Sequence, residues 1–321
     1  MNGTIQASMK SSNIARFWIF GFVLFGSVLG GAKTRNFDPQ NSDFQSKGAK
    51  FVGTLSDARL LESSGLAASR RFPNFFWTHN DSGDSPRLFL LNARGQTVLV
   101  VHLKGANAVD WEDIAVAGSK ENAQVYIGDI GDNKSRRASI VVYRFAEAQV
   151  PLNAISSTRT DADAPEIEVV AGKMTLRYPD GAHDAETLIA TRSGSLILVT
   201  KTRGVSQIFQ TPRVFADATT QVLSEIGRFS FGGAGIFTQM TTGGDLSADE
   251  KRVVVRTYSS AYEWVLPVEK NAWREVWKSA PRVVDLPVQP QGEAICYALD
   301  GRSWRLSSEG AASSLWQVAR G

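Results

Sequence analysis

Asp110-Trp111-Glu112-Asp113-Ile114-Ala115, then the β-forming run Val125-Tyr126-Ile127 and the polar loop Gly128-Asp129-Ile130-Gly131-Asp132-Asn133, is one copy of a unit that this chain repeats. The core of the unit is a polar residue or Gly, then any residue, then Leu or Ile. It recurs at Ser64-Gly65-Leu66, Glu112-Asp113-Ile114, Glu186-Thr187-Leu188, Gly244-Asp245-Leu246 and Glu293-Ala294-Ile295, with steps of 48, 74, 58 and 49 residues between the apolar positions. Each copy is followed by a second β-branched or aromatic run: Phe75 to His79, Val125 to Gly128, Leu196 to Lys201, Arg252 to Tyr258, Ser303 to Leu306. Short strands punctuated by Gly, Asn and Asp, with little helical periodicity, argue an all-β chain. Self-similarity at this period argues a single β-propeller of four-stranded blades.

Five blades are visible. A sixth, degenerate one has room in the 74-residue step, around Glu166 to Arg177, and Lys50 to Leu55 is expected to close the ring as the outer strand of the last blade. The remaining alternative is a β-sandwich whose spacing coincides.

The propeller is expected to occupy residues 50–321. Before it, Lys10 and Arg16 precede an apolar run, Phe17 to Leu29, that ends in Gly30, Gly31 and Ala32. A basic start, a short apolar stretch and a small-residue exit read as a cleaved signal peptide over 1–32. The apolar run falls short of the ~20 residues that span a bilayer, which disfavours an uncleaved anchor. Residues 33–49 then form a polar linker, and the expected product is exported to a periplasm or the medium as a monomer, touching membrane only through its signal.

The whole chain carries 35 Lys and Arg against 32 Asp and Glu, but two of the basic residues lie in the signal, so the remainder is almost balanced. With no basic stripe, nucleic acid is not an expected partner. Cys296 is alone, so stability outside the cytoplasm comes from packing or bound ions rather than an intrachain disulfide.

Residues at one repeat position sit at one height around the channel of a propeller. Two places before the repeated Leu or Ile stand Ser64, Glu112, Glu186, Gly244 and Glu293. Three carboxylates at one level either take up protons or gather a cation. Asp110, Asp113, His183 and Asp184 add to the acidic density. The loops after the second strands of the first two copies, His79-Asn80-Asp81-Ser82-Gly83-Asp84 and Gly128-Asp129-Ile130-Gly131-Asp132-Asn133, both contain Asp-x-Gly-Asp. Two Asp flanking a Gly can aim oxygens at one point, as a hard cation such as calcium requires, although the same Asp residues can also cap their own turns.

The expected metal ligands are therefore Glu112, Glu186, Glu293, Asp129, Asp132, Asp81 and Asp84. His79, Asn80, Asn133, Lys201, Arg203 and Arg256 are expected around a ligand that is a small molecule, a glycan or a protein. His183 and Asp184 are the candidates for acid–base work. No G-x-S-x-G elbow, dinucleotide fingerprint or phosphate-binding loop is present. The residues point to a binding module or, alternatively, a metal-dependent hydrolase of phosphate esters, lactones or sugar acids.

Together Glu62-Ser63-Ser64-Gly65-Leu66-Ala67, Trp77 to Asp84, Asp110 to Ala115, Gly128 to Asn133, Tyr178 to Glu186 and Gln291 to Ile295 resemble a family of exported bacterial β-propeller proteins with WD40-like repeats. The resemblance covers most of residues 50–320 and implies the fold without a reaction. In architecture and acidic character alone, the chain is also similar to β-propeller phytases and lactone-hydrolysing propellers.

Overall fold

The structure is a computed structural model and describes residues 48–156, 158–232, 238–268 and 272–320. The expected signal peptide and most of the expected linker lie outside the described residues.

Five antiparallel sheets follow one another along the chain. The first blade holds β2 (Ser63–Ala68), β3 (Phe76–Asn80), β4 (Arg87–Leu91) and β5 (Thr97–Lys104). The second holds β6 (Trp111–Ala117), β7 (Gln124–Asp129), β8 (Ile140–Ala146) and β10 (Gly172–Arg177). The third holds β11 (Ala185–Ala190), β12 (Leu196–Thr200), β13 (Val205–Gln210) and β15 (Ser224–Ser230). The fourth holds β16 (Thr241–Leu246), β17 (Arg252–Thr257), β18 (Ser260–Val265) and β19 (Arg282–Asp285). The fifth is made of β20 (Gly292–Tyr297), β21 (Ser303–Ser308) and β22 (Ser314–Ala319), completed on its outer edge by β1 (Ala49–Thr54) from the other end of the domain. The ring is closed by that exchange, as the sequence predicts.

The inner strands β2, β6, β11, β16 and β20 are each packed against the next, and β20 returns to β2. Each is buried along its whole length. That burial on both faces is why they read as small or apolar runs without alternation. Five apolar clusters fill the five gaps between neighbouring blades, with Trp77, Trp111, Trp264, Trp304 and Trp316 fully buried among them. Removing so much aromatic surface from water is the main stabilising term for a chain with one free, buried Cys296.

The described residues form no sixth blade. The residues of the long step are spent otherwise: β9 (Glu166–Val170) runs parallel to β5 as a fifth strand of the first blade, and β10 is the outer strand of the second. A further strand, β14 (Thr219–Val222), extends the second blade in parallel beyond β10. Both additions cover an outer edge that would otherwise expose unpaired backbone.

The fourth repeat begins two residues earlier than Gly244-Asp245-Leu246. In every inner strand the ladder slips by one residue near its start: at Ser64 in β2, Glu112 in β6, Glu186 in β11, Thr242 in β16 and around Glu293 in β20. Thr242, not Gly244, is thus the structural counterpart of the glutamates. Gly244 lies where a Cβ would meet Val254 O at 2.6 Å and Thr187 Cγ2 at 2.8 Å, so its Gly answers to close packing and not to the repeat.

Candidate metal centre at the channel mouth

A β-bulge leaves one residue unpaired and turns its side chain out of the regular alternation. Five bulges at one level therefore present five side chains around one mouth. Two of these carry hydroxyls that latch the neighbouring bulge: Ser64 Oγ donates to Glu112 O (2.7 Å), and Thr242 Oγ1 donates to Glu293 O (3.0 Å). The other three carry the carboxylates of Glu112, Glu186 and Glu293, all buried.

A second set comes, in four of the five blades, from the residue just before the inner strand paired with a residue one or two places after the second strand. Asp81 N donates to Glu62 O, Gly131 N to Asp110 O, Lys201 N to Asp184 O and Glu309 N to Gln291 O. This repeated backbone bond brings Asp81, Asp110, Asp184, Lys201, Gln291 and Glu309 to the level of the bulges, with Glu62 at the exposed rim.

Ligand-type oxygens of Asp81, Asp110 and Glu112 lie within 4.8 Å of one another, and so do those of Glu112, Asp184 and Glu186. Glu112 belongs to both groups. Lys201 Nζ stands 2.8 Å from Glu186 Oε1 and 5.5 Å from the centre of the Tyr258 ring. At Gly131 a Cβ would fall 2.0 Å from Glu112 Oε1 and 2.6 Å from Asp110 Oδ2, so glycine lets these two carboxylates lie directly against the loop backbone. Gln291 Nε2 reaches Glu293 Oε1 (3.2 Å) and also meets Glu309, while Glu293 Oε2 is buried without a hydrogen-bond partner.

The electrostatics follow from this crowding. Burial, then the charges of Glu186 and Asp81, lifts Glu112 well above the carboxylate range. Burial with Glu186 and Asp110 pushes Asp81 up to about 8, and burial with Glu186 takes Asp110 to about 6 and Asp184 to about 7. Glu293 reaches about 7, mainly through burial against the opposing pull of Lys201, and Glu309 about 9 through burial and Glu293. Burial works against the charge on Lys201, yet Glu186 and Glu293 hold it firmly protonated.

Several expected site residues are used elsewhere. Asp129 pairs with Arg137 (2.7 Å), and Asp132 Oδ2 accepts Arg137 N (2.6 Å) while Asp132 N donates to Asp184 Oδ1 (2.8 Å). Asp84 is held by Arg87 (2.8 Å) and Asn80 (2.7 Å), and Asn80 Oδ1 accepts the N–H groups of Leu61 and Glu62. These are the turn-capping roles that Asp and Asn adopt in loops.

His79 is fully buried beside Trp111, with Nδ1 on Asn80 O, and burial lowers it to about 4, so it is a neutral core side chain. Arg256 is buried with its donors on Ala294 O, Thr257 O and Gln289, tying the fourth blade to the fifth. Asn133 and Arg203 are exposed on their loops. His183 bonds Asp180 (2.9 Å) and packs on Tyr178 and Phe209, outside the carboxylate groups; Asp184, its neighbour, is inside one. His183→Gln is therefore expected to leave cation binding at the mouth unchanged; a loss measured by calorimetric titration would return His183 to the site.

Two further buried carboxylates tie the inner strands to one another. Asp113 Oδ1 accepts Ile114 N (2.9 Å), and Oδ2 accepts Leu188 N (2.9 Å) and Gly244 N (3.2 Å), while Asp245 accepts Leu246 N and Tyr297 N (2.8 Å each). Asp113 is thus a strut between blades and not part of the acidic face. The roles of Glu309, Gly131 and Tyr258 escaped the sequence reading. Their signal was position: each closely follows a second strand, as Asp81 and Lys201 do.

No family model matches the chain, and no curated protein is similar to it. Among solved structures it is similar to the β-propeller domain of Myceliophteria thermophila Cps50 (Swd1), at 11% identity and a TM-score of 0.41, over 84% of this chain and 100% of that one.

Proposed function

We propose that the chain is an exported, monomeric propeller that binds a divalent cation, calcium by its all-oxygen donor set, at the channel mouth and presents it to a ligand. The observation that carries this reading is the pair of carboxylate groups, Asp81 with Asp110 and Glu112 and Glu112 with Asp184 and Glu186, whose oxygens lie within 4.8 Å of one another and share Glu112, with Lys201 Nζ 2.8 Å from Glu186 Oε1. Calcium takes six to eight oxygens, so a few carboxylates leave positions for a ligand. With Arg256 and Arg137 bound elsewhere, one divalent ion still leaves the face acidic. That charge favours a neutral, polyhydroxylated ligand such as a glycan over an anion.

Thermal unfolding of residues 33–321 in EDTA, then with Ca²⁺, Mg²⁺ or Zn²⁺ restored, tests the ion. A concentration-dependent rise in melting temperature with Ca²⁺ is expected, because an ion that binds only the native state stabilises it by mass action. No rise with any ion, in protein shown metal-free, overturns the reading. Export predicts a secreted product whose first residue is Lys33, readable by N-terminal sequencing.

The ion-free protein has a distinctive pH dependence. Asp81, Asp110, Asp184, Glu293 and Glu309 are raised, so between about pH 4 and 9 the native state holds more protons than the unfolded chain. Stability in EDTA should then fall as pH rises through that window. Bound Ca²⁺ replaces the protons, so its stabilisation should grow over the same range. A Ca²⁺ effect that shrinks from pH 6 to 9 contradicts the assignment.

One observation favours a hydrolase on the same face: Asp184, at about 7 beside Glu112 and Glu186, titrates where a general base works. Turnover of a phosphate ester, lactone or sugar acid that Asp184→Asn abolishes, with the Ca²⁺ melting shift intact, would establish it.

A further inference from the structure

A cavity of about 320 Å³ opens on the third blade, at the end opposite the mouth. The mouth lies where β11 begins and β12 ends. The cavity lies where β11 turns into β12, at Ser195, and where β13 ends, at Gln210. Its size is at the lower end of small-molecule sites, about 300–1,000 Å³. None of the mouth carboxylates lines it.

The cavity exists because this blade departs from the plain repeat. Instead of a short hairpin, the chain leaves the end of β13, crosses to the second blade as β14, and returns to begin β15. Arg213 and Val214 lie on the outgoing leg, Ser224 and Ile226 on the return. Gln221 fixes the excursion, since its Oε1 accepts Arg213 N (3.2 Å) and its Nε2 donates to Val214 O (3.2 Å). A second insertion, between β18 and β19 of the fourth blade, carries the short helix α1 (Ala272–Glu275) and brings Arg274 to the same cavity, where its Nη1 donates to Glu225 O (3.3 Å). Each insertion thus contributes one arginine.

No Asp or Glu side chain lines the cavity. The acids close by in sequence are engaged: Glu225 with Arg228 and Gln207, Glu275 with Lys278, and Asp217 with the N–H groups of Lys173 and Ala218. Among the described residues the Arg213 guanidinium makes neither an ion pair nor a hydrogen bond, and Arg274 makes no ion pair. Two guanidiniums without a carboxylate suit a phosphate or carboxylate group, which the planar fork pairs two oxygens at a time. Ile226 and Val214 supply apolar wall, and Gln210 Nε2 donates to Ser195 Oγ (3.0 Å), which leaves the Ser195 hydroxyl proton to a ligand. We propose that this cavity is a second ligand site, which takes a small organic anion with its phosphate or carboxylate between Arg213 and Arg274 and its body against Ile226, Val214 and the two serines. The site stands independently of the cation at the mouth.

The test is calorimetric titration of residues 33–321 with glucose 6-phosphate, glucuronate, inorganic phosphate and glucose, in EDTA so that no metal bridges an anion to the mouth. At least one of the two sugar anions is expected to bind at one site per chain and more tightly than inorganic phosphate, while glucose does not bind. Arg213→Gln and Arg274→Gln should each weaken that binding about tenfold or more. Val214→Glu, which keeps both arginines and hands them a carboxylate of the chain's own, should abolish it. Arg203→Gln makes the same charge change on a loop at the mouth end and should leave it unchanged.

All four positions are exposed, so the variants should fold as the wild type does, which thermal unfolding checks. Three results overturn the proposal: no binding of either sugar anion, inorganic phosphate bound as tightly as the sugar anions, or a loss in Arg203→Gln equal to that in Arg213→Gln. The last would make the effect one of net charge rather than of this cavity.

Discussion

Glu112→Gln is expected to remove the response of the melting temperature to Ca²⁺ and, at the same time, to raise the stability of the ion-free protein. Glu112 is the member common to both carboxylate groups, is 2% exposed, and lies among the charges of Glu186, Asp81 and Asp110. In the absence of a cation its carboxylate is therefore a cost, seen in how far burial and Glu186 lift it. Glutamine keeps the shape and deletes the charge. In the wild type, Ca²⁺ at a hundredfold excess over its dissociation constant adds about 2.7 kcal/mol. For a domain of this size that amounts to roughly 5–10 °C. The variant should show almost none of it, while its melting temperature in EDTA equals or exceeds that of the wild type. Scanning calorimetry of both proteins with and without Ca²⁺ reads the two effects separately. A variant that is destabilised in EDTA yet keeps its Ca²⁺ response would make Glu112 a structural residue and remove it from the site.

Asp113→Ala is expected to cause the largest loss of stability. One carboxylate there takes N–H groups from Ile114 in its own strand, Leu188 in the third blade and Gly244 in the fourth. Alanine would orphan three donors around a position that is fully buried. Each unsatisfied buried group costs about 1–3 kcal/mol, and part of the sum is offset because the desolvated carboxylate of Asp113 is itself unfavourable, so a net loss of about 3–5 kcal/mol is expected. Asp113→Asn keeps one acceptor oxygen and should lose less. Urea unfolding at constant pH measures both; a loss under about 1 kcal/mol for the alanine variant would show that the channel tolerates the orphaned donors. Ca²⁺ binding should survive in whatever fraction remains folded, which separates the strut from the mouth.

The contrast between Glu112 and Asp113 shows what a linear reading can and cannot supply. They are adjacent, and both were visible as acids in the repeat. Which one faces the mouth depends on a bulge that shifts the alternation by one residue, and a bulge is a property of two paired strands rather than of one. The slip in the fourth repeat has the same origin: Gly244-Asp245-Leu246 matches the pattern in composition, but Thr242 occupies the bulge. The basic residues show the limit from another side. Lys201 and Arg256 both lie at the ends of second strands, and only tertiary packing sends one into the carboxylates and buries the other between blades.

By itself the sequence determined the propeller, its five repeats, its closure by the first strand, and the acidic character of one end. Those follow from spacing and from which residues can be buried in a pleated strand, and spacing survives in one dimension. Only the tertiary structure decided which carboxylates converge. Asp81, Asp110 and Glu112 come from two blades and two segments far apart in sequence, while Asp84, Asp129 and Asp132 are drawn off by Arg87 and Arg137 to hold their own loops. A carboxylate becomes a ligand when no nearby donor claims it first, and that competition is settled by distances that exist only once the ring has closed.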